Sequence, residues 1–261
     1  MKKIKFLLKY LRYYFTSQPI HNIHSPFVYE LLTNVLEDEN KFYAFDEIEK
    51  IRNGWLNSKK EIEVTDFGAG SSVNLSSKRK IKDIAKHSAK SAKYGQLLFR
   101  VVNYFQPKTI LELGTSIGIS SLYLSFPNKK IKLITIEGCP EIAKVASTTI
   151  KKAELKNIEL IVGNFDTQLP LILKTNQKFD FIFIDGNHRK EPTLNYFRQC
   201  LQGIQNNSII IFDDIHWSDE MEEAWEEIKK HPQVTVTIDL FFIGLVFFRK
   251  EQMKQDFVVW Y

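Results

Sequence analysis

The chain has 261 residues, of which 44% are hydrophobic and 26% charged, and its net charge is +5. These values are ordinary for a soluble globular protein with one sizeable α/β domain, or with a domain and an extension. The two cysteines, Cys139 and Cys200, are far apart in the sequence. Their spacing argues against a disulfide framework or a zinc site and favours a reducing, cytoplasmic location.

Residues 4–15 predict an amphipathic helix, because apolar residues recur at helical spacing between basic ones: Ile4, Leu7, Leu8, Leu11 and Phe15. The first interpretation is that this stripe packs on the body of the protein, and the second is that it contacts a membrane surface. A signal peptide is not expected, because Lys9 and Arg12 interrupt the apolar stretch and no small-residue cleavage site follows.

The remainder of the N-terminal part also predicts helices. Ser25 followed by Pro26 is typical of a helix start. Two helices are predicted, over 27–37 and 43–57. Residues 66–70, Asp-Phe-Gly-Ala-Gly, predict a loop, since no helix and no acidic second strand follow them. Residues 1–94 are therefore expected to form a helical region that covers a substrate site.

From about residue 95, short apolar runs alternate with helical stretches, which is typical of a parallel sheet wrapped by helices. The predicted strands are 109–113, 131–136, 158–162, 180–184 and 207–212, and the predicted helices are 95–105, 117–125, 140–153, 166–174, 190–203 and 218–230. Residues 234–239 and 242–249 have only a short connection, which predicts an antiparallel pair. The expected fold class for 95–261 is a Rossmann-like, doubly wound α/β domain, whose mostly parallel seven-stranded sheet ends in an antiparallel hairpin.

A cofactor site is indicated where strand 109–113 runs into the glycine-containing loop 114–118, Gly-Thr-Ser-Ile-Gly. The next strand ends in Glu137, whose carboxylate can accept hydrogen bonds from both hydroxyls of a ribose. The loop lacks the G-x-G-x-x-G spacing of pyrophosphate-binding loops. Glu112 would repel a diphosphate but suits the cationic methionine end of S-adenosylmethionine, which is therefore favoured over NAD. The alternative for Glu112 is a purely structural role.

Gly95-Gln96-Leu97-Leu98 and the run from Ile110 to Gly118 resemble the catechol and caffeoyl-CoA type of class I O-methyltransferase, over about residues 92–249. Asn164 stands where members of that family often have an acidic residue beside the adenine. The loop and the resemblance together give these candidate cofactor residues: Glu112, Gly114, Ser116, Gly118, Ser120, Glu137, Asn164, Phe165 and Asp185.

A metal site is predicted after the later strands, at Asp185 and at the pair Asp213 and Asp214. Carboxyl ends of parallel strands share one edge of a sheet, and crowded carboxylates favour a hard divalent cation such as Mg²⁺. In the family that the chain resembles, Asp185 and Asp213 match metal-binding aspartates, and Asp214 replaces an asparagine ligand. The alternatives are that Asp185 only positions the cofactor and that Asp213 caps the following helix.

His188 is the candidate general base. It follows Asp185 by three residues, where the catechol enzymes have a catalytic lysine, and an imidazole titrates near neutral pH. The alternative is an ordinary loop histidine. Asp185 is the second candidate catalytic residue. His216 and Trp217 are candidates for lining the acceptor pocket, with apolar packing as the alternative for Trp217. The Asp-Gly-Asn-His and Phe-Asp-Asp stretches also resemble sugar-directed methyltransferases, which leaves the acceptor open.

The expected function is S-adenosylmethionine-dependent, metal-assisted O-methylation of a small hydroxylated acceptor. One alternative is an RNA-modifying methyltransferase that uses the basic segments 1–14 and 78–93. No recognised RNA-binding module supports it, so a nucleic-acid partner is not expected. The other alternative is a non-catalytic cofactor-binding protein. Homodimerisation is implied by the resemblance alone.

Overall fold

The computed structural model describes residues 2–65, 76–87 and 89–261. Residues 66–70, for which a loop was predicted, lie outside the described residues. The helices and strands follow in chain order: α1 Lys2–Thr16, α2 Pro26–Val35, α3 Tyr43–Leu56, β1 Glu61–Thr65, β2 Ser76–Lys80, α4 Ile81–His87, α5 Ala92–Phe105, β3 Thr109–Leu113, α6 Ile119–Ser125, β4 Lys132–Glu137, α7 Pro140–Lys152, β5 Ile158–Val162, α8 Phe165–Leu173, β6 Phe181–Ile184, α9 Lys190–Cys200, β7 Ile209–Asp213, α10 Asp219–Lys230, β8 Val236–Asp239, β9 Ile243–Phe247 and β10 Gln255–Val258.

The main sheet has eight strands in the order β10-β8-β9-β7-β6-β3-β4-β5. Strand β4 runs parallel to β3 and to β5, and β6 runs parallel to β7. Strand β9 runs antiparallel to both β7 and β8. The predicted α/β class, with a mostly parallel sheet and a terminal antiparallel hairpin, is confirmed. The sheet has one strand more than the seven expected, because β10 pairs in parallel with β8.

The chain divides into two compact units. The first, here called the central unit, is Glu37–Leu171. The second, here called the terminal unit, combines Met1–Leu36 with Ile172–Tyr261.

The central unit has a core of parallel strands covered by helices. Ile110, Leu111 and Leu113 of β3 are completely buried. Helix α5 approaches α6 closely at Gly95, where an added Cβ would lie 2.3 Å from the ring of Tyr123. The unit also contains an antiparallel pair, β1 with β2, which the sequence analysis did not predict in the N-terminal region.

The terminal unit holds the first two helices against the end of the sheet. The rings of Phe6, Tyr10 and Tyr13 surround Phe241, with centroid distances of 5.4, 5.0 and 5.2 Å. The Tyr13 hydroxyl donates a hydrogen bond to the carbonyl oxygen of Val259 at 2.5 Å. These contacts attach α1 to the segment between β8 and β9 and to the residue after β10.

The predicted helix start at Pro26 is confirmed. The Ser25 hydroxyl accepts a hydrogen bond from the Val28 amide, and Pro26 occupies the first turn, where its missing N–H has no cost. Helix α2 then packs on β9, with the rings of Phe27 and Phe247 5.2 Å apart.

Helix α1 packs on the terminal unit, as the first interpretation expected, but not through the predicted apolar stripe. The helix packs through the aromatic face described above, and the stripe is exposed, with fractional exposures from 40% at Leu11 to 79% at Phe15. The sequence could not separate the two faces, since both carry large apolar side chains. Among the helices of the described residues, none is both long and apolar enough to cross a lipid bilayer.

Candidate cofactor and metal sites

The loop between β3 and α6 needs its glycines for conformational reasons. Gly114 and Gly118 have φ angles of 106° and 88°, in the left-handed region that side chains disfavour. The amides of Gly114 and Thr115 donate to the carbonyl oxygen of Ile136 at 3.0 and 3.2 Å. The loop is therefore bound to β4 along its first half, and α6 starts directly after Gly118.

Glu137 holds the second half of the same loop. Its Oε2 accepts a hydrogen bond from the Ser116 amide at 2.8 Å, and its Oε1 accepts one from the Cys139 amide at 2.9 Å. The side chain is almost fully buried, and burial raises the pKa of Glu137 to about 7, although the two amide hydrogen bonds act in the opposite direction. Each oxygen retains a lone pair that a ribose hydroxyl could use.

Ser116 supplies a second observation at this loop. Ser116 has a positive φ of 49°, and its hydroxyl oxygen is buried with no hydrogen-bond partner among the described residues. A buried, unsatisfied hydroxyl costs free energy, and a bound ligand could supply the missing partner. The contact of Ser116 with a cofactor stays a prediction.

Glu112 is completely buried, and its carboxylate is hydrogen-bonded to side chains of the central unit. Its Oε2 accepts hydrogen bonds from the hydroxyls of Ser121 and Thr135, the latter at 2.6 Å. Burial raises the pKa of Glu112, while hydrogen bonds from Ser120, Ser121 and Thr135 act to lower it. The fold holds Oε2, whereas the buried Oε1 has no hydrogen-bond partner among the described residues, so the cofactor contact and the structural role of Glu112 both stay open. The predicted contact of Ser120 with a cofactor stays a prediction, because its hydroxyl is already used by Glu112.

Asn164 lies at the start of α8. Its Oδ1 accepts a hydrogen bond from the Asp166 amide at 2.9 Å, and its carbonyl oxygen accepts one from the Gln168 amide at 2.9 Å. The preceding residue, Gly163, donates its amide to the carbonyl oxygen of Glu137. Asn164 therefore begins the helix, and half-buried Phe165 is its first residue.

The terminal unit brings together three of the predicted residues. One ligand atom each of Asp185, His188 and Asp213 lies within 4.8 Å of the other two, and Asp213 is buried. His188 Nε2 is 3.7 Å from Asp185 Oδ1 and 4.0 Å from Asp214 Oδ2. The structure thus places Asp214 beside the group and His188 inside it. Two carboxylates and an imidazole are a suitable ligand set for a divalent cation.

The loop that carries His188 is fixed by its neighbour Asn187, which has a φ angle of 52°. The amide nitrogen of the Asn187 side chain donates to the Tyr196 hydroxyl at 3.1 Å, and its oxygen accepts from Arg189 Nε at 2.8 Å. Both partners belong to α9 or the residue before it, so the loop is anchored to that helix.

His216 is held by two carboxylates, an arrangement that the sequence analysis missed. Its Nδ1 is 2.8 Å from Glu222 Oε1, its Nε2 is 2.8 Å from Asp239 Oδ2, and its ring stacks on Phe241. Burial acts to lower the pKa of His216, but the hydrogen bonds and charges of Asp239 and Glu222 raise it overall. Its partners come from α10 and β8, and no local sequence pattern indicates them. Trp217, by contrast, is 61% exposed.

The known proteins that this chain resembles in sequence include methyltransferases. Residues 111–215 match a family model described as a methyltransferase domain. A catechol O-methyltransferase of Niastella koreensis is 33% identical over 129 residues, which cover 48% of this chain and 57% of that protein. A catechol O-methyltransferase of Mycobacterium tuberculosis is 27% identical over 129 residues, with 49% and 57% covered. The chain thus matches a little over half the length of these curated relatives.

A solved structure shares the fold. The O-methyltransferase of Bacillus cereus, determined in complex with S-adenosylhomocysteine, aligns with a TM-score of 0.57 and 21% identity, over 84% of this chain and 96% of the other. At this level of identity the likeness concerns the fold alone.

Proposed function

We propose that this chain, which resembles the class I S-adenosylmethionine-dependent O-methyltransferases of the catechol and caffeoyl-CoA type in sequence and fold, methylates an oxygen of a small hydroxylated acceptor. The observation that carries the proposal is Glu137, a buried carboxylate that ends β4 and accepts a hydrogen bond from the Ser116 amide of the glycine loop. A carboxylate in this position can bind a ribose while the loop backbone approaches the rest of the nucleoside.

The central unit supplies the residues for the methyl donor. Glu137 would accept hydrogen bonds from the ribose hydroxyls of S-adenosylmethionine. The buried Ser116 hydroxyl, which has no partner within the described residues, would hydrogen-bond to the same cofactor. The positive φ angles of Gly114 and Gly118 keep Cβ atoms out of the loop surface. S-adenosylmethionine, when bound, supplies a methyl group on a sulfonium, which is already a reactive donor.

The reaction is a displacement at the methyl carbon. The acceptor oxygen forms the new carbon–oxygen bond as the carbon–sulfur bond breaks, and the electron pair of that bond stays on sulfur. The acceptor hydroxyl loses its proton to a base, for which His188 is the candidate. Binding and orientation of the two reactants contribute most of the acceleration.

The terminal unit supplies the residues for a divalent cation, Asp185 and Asp213, with Asp214 adjacent. A bound cation would lower the pKa of an acceptor hydroxyl. His188 Nε2 cannot serve as a cation ligand and as a base at the same time, because one lone pair serves both roles. If His188 is the base, the cation is held by carboxylate oxygens alone, which favours Mg²⁺ over metals that prefer imidazole.

The test of cofactor binding is calorimetric titration of S-adenosylhomocysteine into the full chain. We expect binding by the unaltered protein, weaker binding by Ser116→Ala, and at least tenfold weaker binding by Glu137→Ala, since that change removes both acceptors for the ribose hydroxyls. Glu159→Ala is the matched control, because Glu159 is an exposed residue of the neighbouring strand β5. A protein that folds normally but binds no S-adenosylhomocysteine would overturn the proposal.

The test of the cation site is separate. Titration of MgCl₂ and of MnCl₂ should show a site that is lost in Asp213→Asn and retained in Asp256→Asn, an exposed aspartate of β10. His188→Gln should leave Mg²⁺ binding nearly unchanged if the carboxylates alone hold the ion. Equal cation binding by the unaltered chain and Asp213→Asn would remove the metal from the proposal and leave the methyl transfer.

A further inference from the structure

Helix α1 is apolar on two faces, and the described residues cover one of them. Phe6, Tyr10 and Tyr13 pack around Phe241 in the terminal unit. The side chains on the other face are between 40% and 79% exposed: Ile4, Leu7, Leu8, Leu11 and Phe15. Their spacing of three and four residues puts them on one side of the helix, so they form a continuous apolar strip, here called the outer strip.

The charge of α1 itself is positive, although acidic residues of α10 neutralise part of it, since Lys5 Nζ lies 3.3 Å from Asp219 Oδ2. Residues 1–14 contain five basic residues and no acidic one. Lys9 is mostly buried between Asp219 and Glu222, with its Nζ 2.9 Å from each, so it holds the helix to the terminal unit. Arg12 is exposed. It lies one helical turn after Leu8 and one before Phe15, which places its guanidinium at the border of the strip.

Aromatic residues extend the exposed surface near the end of the helix. Tyr14 and Phe15 are both exposed and their rings meet edge to face. Trp260 is 59% exposed, and its amide donates to the carbonyl oxygen of Gln18, two residues after α1. Exposed tryptophan and tyrosine next to basic residues are typical of segments that lie at a membrane–water interface.

We propose that α1 is a docking helix for an anionic lipid surface, with the outer strip inserted at the level of the headgroups. The net positive charge of residues 1–14 complements anionic lipids. A second copy of the chain is a poorer occupant, because a symmetric contact through this strip would place the basic residues of one copy against those of the other. The helix is held on the terminal unit by its opposite face, so docking requires no rearrangement of that unit.

The test is flotation of the full chain with vesicles, which needs no methyltransferase activity. Vesicles of equal parts phosphatidylcholine and phosphatidylglycerol should carry the protein upward, and vesicles of phosphatidylcholine alone should carry much less. The double variant Leu8→Gln with Phe15→Gln should lower the partition coefficient on the order of a hundredfold, since each side chain loses most of its apolar transfer energy. Arg12→Gln should weaken binding less, and its effect should vanish at high salt.

The matched control is Leu171→Gln with Met253→Gln, which removes two exposed apolar side chains outside α1, at 52% and 81% exposure. It should float like the unaltered protein. The thermal midpoint of the Leu8 and Phe15 double variant should remain unchanged, because the contacts with Phe241 are intact. The proposal is overturned if the unaltered chain does not float with the anionic vesicles. It is also overturned if the Leu8→Gln, Phe15→Gln variant floats to the same extent as the control variant. It is also overturned if sedimentation shows a dimer that the α1 variant converts to monomer without any effect on flotation.

Discussion

At the scale of single residues, Glu137 joins structure and proposed function most directly. Both of its oxygens accept amide hydrogen bonds, yet burial dominates and raises its pKa to about 7 from the usual 4.5. The folded chain therefore retains a proton that the unfolded chain has lost at the same pH. The resulting contribution to stability is complete below about pH 4.5 and is lost as the pH rises through about 7.

The same ionisation predicts a pH dependence of ligand binding. Ribose hydroxyls donate better to the carboxylate than to the protonated acid, so the affinity for S-adenosylhomocysteine should fall by up to about fivefold between pH 7 and pH 6. Titration calorimetry across this range would measure it. Glu137→Gln should bind more weakly but with a nearly flat profile. An unchanged slope in that variant would assign the pH dependence to another group.

Tyr13 makes a residue-scale prediction about stability. Its hydroxyl donates to the Val259 carbonyl oxygen and accepts from the Tyr261 amide at 3.1 Å. Tyr13→Phe should lower the free energy of unfolding by about 1–3 kcal/mol, because the buried Val259 carbonyl loses this donor. Chemical denaturation would measure the change. Tyr14→Phe is the control, since Tyr14 is exposed, and it should change stability by less than about 0.5 kcal/mol.

At the scale of elements, the alternating β/α region was predicted well, and strands 109–113 and 158–162 were correct to the residue. Their apolar runs are long enough to identify. The pair β1 and β2 was missed because β2, Ser-Ser-Lys-Arg-Lys, has no apolar residue, and β10 was missed because it is an edge strand of only four residues, Gln-Asp-Phe-Val. Pairing in both cases depends on partner strands that no local pattern identifies.

In the candidate site, too, some residues could be predicted from the sequence, whereas their contacts could not. Glu137 and Asp213 were predicted because each ends a strand, and strand ends can be located in a sequence. The bonding of Glu112 to Thr135 requires the register between β3 and β4, and the carboxylates around His216 come from two other elements. Such contacts become visible only when the elements are assembled.

The packing of α5 on α6 gives a prediction at this scale. An alanine Cβ at position 95 would lie 2.3 Å from the Tyr123 ring, which is buried and hydrogen-bonded to Glu49. Gly95→Ala should therefore destabilise the protein by about 1–3 kcal/mol, which differential scanning calorimetry would detect. Gly54→Ala is matched, because an added Cβ in α3 meets nothing within 4 Å. It should stabilise by about 0.5–1 kcal/mol, so a similar loss in both variants would contradict the steric argument.

At the scale of the whole molecule, the terminal unit is built from two separate parts of the sequence, Met1–Leu36 and Ile172–Tyr261. Helices α1 and α2 are part of its packing, since Val28, Leu31 and Leu32 are buried and Phe27 contacts Phe247. Residues 1–94 were expected to form a separate helical region. A boundary at 94 remains a proposal, and the contacts of the first two helices argue that they are not removable on their own.

Deletion of residues 1–36 tests this. It should expose the apolar surface under α2 and around Phe241 and cost on the order of 5 kcal/mol or more. Circular dichroism should show a much lower thermal midpoint, or the product should be insoluble. The α1 variant with Leu8→Gln and Phe15→Gln, which keeps the packed face, should melt like the unaltered chain. A deletion variant with an unchanged melting curve would show that the N-terminal helices are a separate appendage.

The pairing of the first helix with the strand region at the other end of the sequence also sets an order of events during synthesis. Residues 1–36 leave the ribosome early, but their partners, among them Phe241 and Val259, are made last. The nascent chain must therefore carry α1 with both of its apolar faces uncovered while the central unit is translated and folds. A molecular chaperone or a nearby bilayer would shield that helix in the interval, so incomplete chains that end before Phe241 should aggregate more than the full chain when chaperones are depleted.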